Sequence, residues 1–89
     1  MRIDKYLKTA RILKRRQVAK ELGDNGRLVV NGRIAKASTE VNVDDIIEIH
    51  FGHRVLKVKV LDVRSVVRKI DDPVYEVIEE IRISQKENE

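Results

Sequence analysis

Apolar residues open the chain at helical spacing: Ile3, Leu7 and Ala10 recur at intervals of four and three, with Tyr6 beside them. This stripe predicts an amphipathic helix over residues 3–10. After Ile12-Leu13 and a basic triplet, Val18, Ala19 and Leu22 resume the helical period, and Gly23 stands where a left-handed C-terminal cap would fall. A second helix over residues 15–22 is expected. Asp24-Asn25-Gly26 then breaks the chain. Arg27-Leu28-Val29-Val30, Asn31-Gly32 and Arg33-Ile34 read as a strand, a type I′ turn and a return strand.

From Val41 the pattern turns to strands. Ile46 to Phe51 reads as one strand, 51–54 as a turn, and 55–63 as an alternating strand with Leu56, Val58 and Val60 inward and Lys57 and Lys59 outward. A further strand over 65–70 would pair back on it. Asp71-Asp72-Pro73 then precedes Val74, Val77, Ile78 and Ile81, where an Asp cap, Pro in the first turn and i, i+3, i+4, i+7 spacing predict a short C-terminal helix. Val, Ile and Tyr also suit a strand. Residues 85–89 read as a frayed acidic tail, and the expected organisation is one domain over 1–84.

With 89 residues, 42% of them hydrophobic, the chain supports one modest core and no second domain. Cysteine is absent, which excludes disulfides and thiolate zinc sites. No run of eighteen apolar residues suggests a membrane span, and no apolar segment follows the basic N-terminus as a signal peptide requires. A cytoplasmic protein is expected.

The net charge of +4 conceals a polarised distribution. Residues 1–38 hold eleven Lys/Arg against three acids, and residues 39–89 hold eight against twelve. Arg2, Lys5, Lys8, Arg11, Lys14, Arg15 and Arg16 fall within fifteen positions whose one acid is Asp4. Like-charge crowding of this kind destabilises a helix pair unless a polyanion neutralises it. Nucleic acid is therefore the expected partner, and its binding should weaken steeply with salt. Arg15 and Arg16 fall at the start of the second helix, where cations are unfavourable but a phosphate would meet both the guanidinium groups and free backbone N–H groups.

Asp4 has two readings: an i, i+4 partner that orients Lys8, or a direct contact to a base or 2′-OH. The first is ordinary helix chemistry. With Tyr6, Phe51 and Tyr75 as the only aromatics, a base-stacking sheet is disfavoured. The His50/His53 spacing lacks the Cys or carboxylate companions of a metal site. Ser38, Thr39 and Ser65 have no base arranged as in a nucleophilic triad. A non-catalytic role follows.

The run Met1-Arg2-Ile3-Asp4-Lys5-Tyr6-Leu7-Lys8, the basic Arg15-Arg16 with Ala19 and Leu22, the Gly26 to Gly32 hairpin and Ala35-Lys36-Ala37-Ser38 together resemble the S4 RNA-binding domain over residues 1 to about 50. The resemblance implies an α+β, S4-like (αL) fold, with two N-terminal helices packed on a small, mostly antiparallel twisted sheet. It implies that Arg2, Asp4, Lys5, Lys8, Arg11, Arg15, Arg16 and Lys36 contact RNA. Asp44-Asp45 departs from the Gly-Asp common in the family, and Asp tolerates a positive φ there better than most residues.

Without an attached enzyme, the chain is similar to the stand-alone members of the family, particularly those lacking a basic C-terminal extension. These imply binding to the separated large (50S) ribosomal subunit, with contacts to 23S rRNA and peptidyl-tRNA. They also imply a role in ribosome-associated quality control, in which the P-site tRNA is held and translocated while a partner factor directs alanine tailing. A monomer without cofactors is expected. The competing readings are a general structured-RNA binder, and an adaptor whose acidic C-terminal half docks a basic protein.

Overall fold

The computed structural model describes residues 1–63 and 73–82. Its elements are α1 (Ile3–Thr9), α2 (Arg16–Asp24), β1 (Leu28–Val30), β2 (Arg33–Ile34), β3 (Ile46–His50), β4 (Arg54–Val60) and β5 (Tyr75–Arg82). The strands form one antiparallel sheet in the order β2-β1-β3-β4-β5.

Period-two patterning decides which face of the sheet is buried. Leu28 lies opposite Ile49, and Ile47 opposite Val58, so these residues share one face with Val60. They form a single core with Ile3, Tyr6, Leu7 and Ala19 of the helices. The other face carries Glu48, Lys57 and Glu79 in one cross-strand row. Truncating a fully buried side chain such as Leu7 or Ile47 to alanine costs about 2–5 kcal/mol, a large share of the total in a domain this small.

Asn31 and Gly32 both adopt positive φ, at 51° and 83°, as a type I′ turn requires. Asp44 also has positive φ, at 77°. The neighbouring Asp45 braces this turn, accepting from the Asn42 N–H at 2.8 Å and the Asn31 side-chain amide at 3.0 Å.

Two sequence expectations are corrected. Gly23 is not the cap of α2: the helix runs on to Asp24 and turns at Gly26, with φ of 70°. There the Gly26 N–H donates to Gly23 O at 3.2 Å and the Arg27 N–H to Leu22 O at 2.8 Å, the paired bonds of a Schellman stop.

The expected C-terminal helix is instead β5, paired along β4. Lys57 lies opposite Glu79 and Val58 opposite Val77, so Ile78 is an extra residue in a β-bulge. The apolar residues at helical spacing do not share a face of the strand: Val77 lies opposite Val58 on the core side, Ile81 lies opposite Val55 on the other, and Val77, Ile78 and Ile81 are all about half-exposed. The expected strand at 65–70 and the Asp71-Asp72 cap lie outside the described residues.

Candidate nucleic-acid interface

The N-terminus of α1 is capped by backbone. The Ile3 N–H donates to Thr39 O at 2.7 Å and the Asp4 N–H to Ala37 O at 3.2 Å, while the Val41 N–H reaches Met1 O at 2.9 Å. These bonds satisfy orphan donors of the first turn and fasten the 36–41 segment to α1. The same segment lies against α2. A Cβ on Gly23 would stand 2.8 Å from the Ala37 backbone N and 3.3 Å from Lys36, closer than side-chain carbons come to backbone. Gly23 therefore lets the Lys36 loop sit between the two helices.

Asp4 lies at the junction and, among the described residues, is the one charged side chain that is buried. Its Oδ2 accepts from Arg2 Nη2 at 3.1 Å, and its Oδ1 accepts from Arg16 Nη2 at 3.1 Å and from the Lys5 N–H at 2.7 Å. The Asp4 side chain is 8% exposed, against 52% for Arg2 and 47% for Arg16. A buried carboxylate thus aims two half-exposed guanidinium groups outward from two helices. The expected i, i+4 pairing of Asp4 with Lys8 is not formed; Asp4 pairs with Arg2 and Arg16 instead.

Arg11 follows the last turn of α1 with φ of 64°, in the left-handed region. Its N–H bonds Lys8 O at 2.9 Å and that of Ile12 bonds Leu7 O at 3.0 Å, so α1 also ends in a Schellman stop, with arginine where glycine is usual. Non-glycine residues in this conformation cost about 1 kcal/mol, and such strain gathers at functional surfaces. Lys36 is held by a local turn, its N–H donating to Thr39 Oγ1 at 3.0 Å and its C=O accepting from the Thr39 N–H at 3.0 Å. Arg15 is the exposed N-cap of α2.

Charge pairing divides the molecule. Lys5, Lys8, Arg11, Lys14, Arg15, Lys20, Arg27, Arg33 and Lys36 are all exposed and make no ion pair among the described residues. The cations of the sheet are neutralised: Arg54 by Glu80 at 2.9 Å, Lys57 by Glu79 at 3.9 Å and Glu48 at 4.0 Å, Lys59 by Asp44 at 3.6 Å, and Arg82 by Glu80 at 3.8 Å. The excess positive charge therefore sits on the helices and the hairpin that follows them. Of the eight residues singled out from sequence, Arg2, Asp4 and Arg16 meet in one network, and Lys36 is fastened beside it. Lys5, Lys8, Arg11 and Arg15 occupy exposed positions on or just beyond the two helices.

His50 Nε2 stands 3.4 Å from Glu48 Oε1. No group of three or more potential metal ligands converges among the described residues. Tyr6 is buried between α1 and the sheet, its hydroxyl donating to the Val74 carbonyl. Burial, then the nearby Tyr75 and Asp62, push its pKa well above the usual tyrosine range. No described helix is long and apolar enough to cross a membrane.

Two short helices on an antiparallel sheet, with unneutralised cations gathered on the helical side, define a small α+β domain of the nucleic-acid-binding class. The S4 domain family model matches residues 1–47, and the chain belongs to that family. It is 51% identical over 86 residues to the RQC P-site tRNA stabilizing factor of Streptococcus pneumoniae, covering 96% of this chain and 98% of that protein. It is 44% identical over 88 residues to the protein of the same name from Halalkalibacterium halodurans, covering 98% and 100%. The Bacillus subtilis protein of that name is 36% identical over 86 residues, covering 96% and 100%. Among solved structures, Vibrio cholerae Heat Shock Protein 15, described as trimeric, superimposes with a TM-score of 0.77 at 26% identity, over 86% of this chain and 80% of that one.

Proposed function

We propose that this protein is a cytoplasmic, non-catalytic RNA-binding factor of the large ribosomal subunit that steadies P-site tRNA during ribosome-associated quality control. The observation that carries this reading is the pairing pattern. Among the described residues, the Lys and Arg side chains of the helical side form ion pairs with no acid except Asp4, which is shared and buried beneath two arginines. A surface left unneutralised in this way suits a phosphate backbone. Full-length similarity to proteins named RQC P-site tRNA stabilizing factor supports tRNA on the ribosome as the particular RNA.

In this reading Arg2, Lys5, Lys8, Arg11, Arg15, Arg16 and Lys36 contact 23S rRNA and tRNA phosphates, and Asp4 sets the direction of Arg2 and Arg16. The protein supports tRNA positioning and translocation while a separate factor directs alanine tailing. It acts as a monomer: the bulge at Ile78 and the acids Glu76, Glu79 and Glu80 on the edge strand β5 oppose strand pairing with a second copy. The adaptor reading is weaker, because Glu48, Glu79 and Glu80 are already engaged by cations of the sheet.

The test is a non-stop reporter expressed in cells lacking the protein. C-terminal alanine tails on the stalled product should disappear and return with the wild-type gene but not with an Arg2→Ala/Arg16→Ala variant. Tails of normal length in the deletion strain would overturn the tailing role.

A further inference from the structure

By helical spacing, Val18, Glu21, Leu22 and Asn25 lie on the side of α2 opposite Arg16 and Lys20. Together with Arg27 and His50 they line a groove of about 250 Å³ between α2 and the end of β3. Val18 and Leu22, packed against the core but only partly covered, form its apolar floor. The Arg27 backbone is fixed at its mouth: its main-chain N–H donates to Leu22 O at 2.8 Å and its C=O accepts from the His50 N–H at 2.9 Å. The Arg27 side chain is exposed and makes no ion pair among the described residues. The Asn25 side-chain amide donates to the Glu21 main-chain O at 2.8 Å, which leaves its Oδ1 as an acceptor, and Glu21 lines the same groove.

The groove meets the cationic face at one point, where Arg27 neighbours Lys36. β1 and β2 pair with Val29 opposite Ile34, and the Ala35 N–H bonds Leu28 O at 2.8 Å, so continuing the register sets Lys36 across from Arg27. A strand that follows Lys36 reaches Arg27 next. The volume lies below the ~300–1,000 Å³ of ordinary small-molecule pockets and suits one nucleotide. An apolar floor accepts the face of a base, and a guanidinium anchored at its Cα donates to a phosphate. Two acceptors on the wall, the Glu21 carboxylate and Asn25 Oδ1, select a base that offers an amino group.

We infer that the groove between α2 and β3 is a nucleotide subsite, holding one unstacked, amino-bearing nucleotide of an RNA whose backbone crosses the helical face. It rests on the RNA-binding reading above, with Arg27 as a phosphate contact and Glu21 and Asn25 as the groups that read the base.

The test is an NMR titration of the full-length, isotope-labelled protein with CMP, UMP and inorganic phosphate. CMP should saturate shifts of the Asn25, Arg27 and Gly52 amides and the Val18 and Leu22 methyls in the millimolar range, with UMP at least threefold weaker and phosphate leaving the methyls unmoved. Val18→Phe, which fills the groove, should abolish the methyl response. Arg27→Gln, an exposed change that keeps the fold, should weaken CMP about fivefold. Shifts confined to α1, a CMP response that phosphate alone reproduces, or CMP binding unaffected by Arg27→Gln would each overturn the subsite. Because the titration needs no ribosome, its failure beside intact 50S association would remove the groove alone. A saturable CMP response without 50S association would remove the ribosomal reading and keep the groove.

Discussion

Replacing Asp4 by Asn sets charge counting against geometry. The change raises the net charge from +4 to +5, so a face that bound RNA only through its summed charge would bind more tightly and with a steeper salt dependence. The structure predicts the opposite. Asp4 holds Arg2 and Arg16 at 3.1 Å each, and an amide cannot replace both ion pairs. Discounted for half-exposed arginines, each pair contributes about 1 kcal/mol. The variant should therefore lose about 2 kcal/mol, a fall in Tm on the order of 8–16 °C for a domain of this size. With the guanidinium groups released to repel one another, RNA affinity at moderate salt should drop about tenfold, which corresponds to about 1.4 kcal/mol.

The control is Asp24→Asn, which makes the same charge change at an exposed position in the last turn of α2 with no ion pair among the described residues. It should keep the Tm and bind RNA slightly more tightly. Thermal denaturation and fluorescence anisotropy with a labelled tRNA at two salt concentrations measure both quantities. If Asp4→Asn is as stable as wild type and binds as tightly as Asp24→Asn, the orienting role of Asp4 is refuted.

Arg11→Gly should raise the Tm, because glycine relieves about 1 kcal/mol of left-handed strain, while RNA affinity falls; a lower Tm would show that the arginine is not strained. Gly23→Ala gains about 1 kcal/mol of helix propensity, but its methyl group would meet the Ala37 backbone N at 2.8 Å. At the usual ~1–3 kcal/mol for overpacking against a fixed neighbour, the net effect should be destabilising; a stabilised variant in a denaturant titration would rule out the close approach. Tyr6 gives a pH signature. Its pKa is raised on folding, so the unfolded chain loses the phenolic proton first. The stabilisation is complete below about pH 10 and declines above it by ~1.4 kcal/mol per pH unit. Tyr6→Phe should remove that alkaline slope and also cost about 1 kcal/mol at neutral pH, through the unpaired Val74 carbonyl; an unchanged slope in denaturation series from pH 9 to 11 would contradict the assignment.

What the sequence revealed and what it hid follow from the range of the interactions. The first helix, the Asn31-Gly32 hairpin and the strands at 46–50 and 54–60 are written in local signals, namely periodicity and turn residues that demand positive φ. The strand at 75–82 was hidden because its apolar residues do not alternate: Val77, Ile78 and Ile81 fall at helical spacing yet stand about half-exposed, and only the long-range pairing with β4 makes the segment a strand. Gly23 looks like a helix stop in one dimension, and its actual role, the seat of the 36–37 backbone, appears only when a segment thirteen residues on packs against it. The Asp4 network was hidden for the same reason. Helical spacing points to Lys8, whereas the fold brings in Arg16 from the next helix. The overall cationic face was legible because charge segregation survives in the linear sequence, and the resemblance to S4 domains supplied the expectation of RNA.

The central claim is that the helical face binds the large ribosomal subunit through Arg2, Arg16 and their neighbours. Sucrose-gradient sedimentation of tagged protein from cells tests it most directly, with wild type compared with Arg2→Ala/Arg16→Ala at low and moderate salt. Wild type should co-migrate with free 50S subunits that carry tRNA, and the double variant, folded by circular dichroism, should remain at the top of the gradient. Wild type at the top of the gradient, or a double variant that still co-migrates with 50S subunits at moderate salt, would contradict the account.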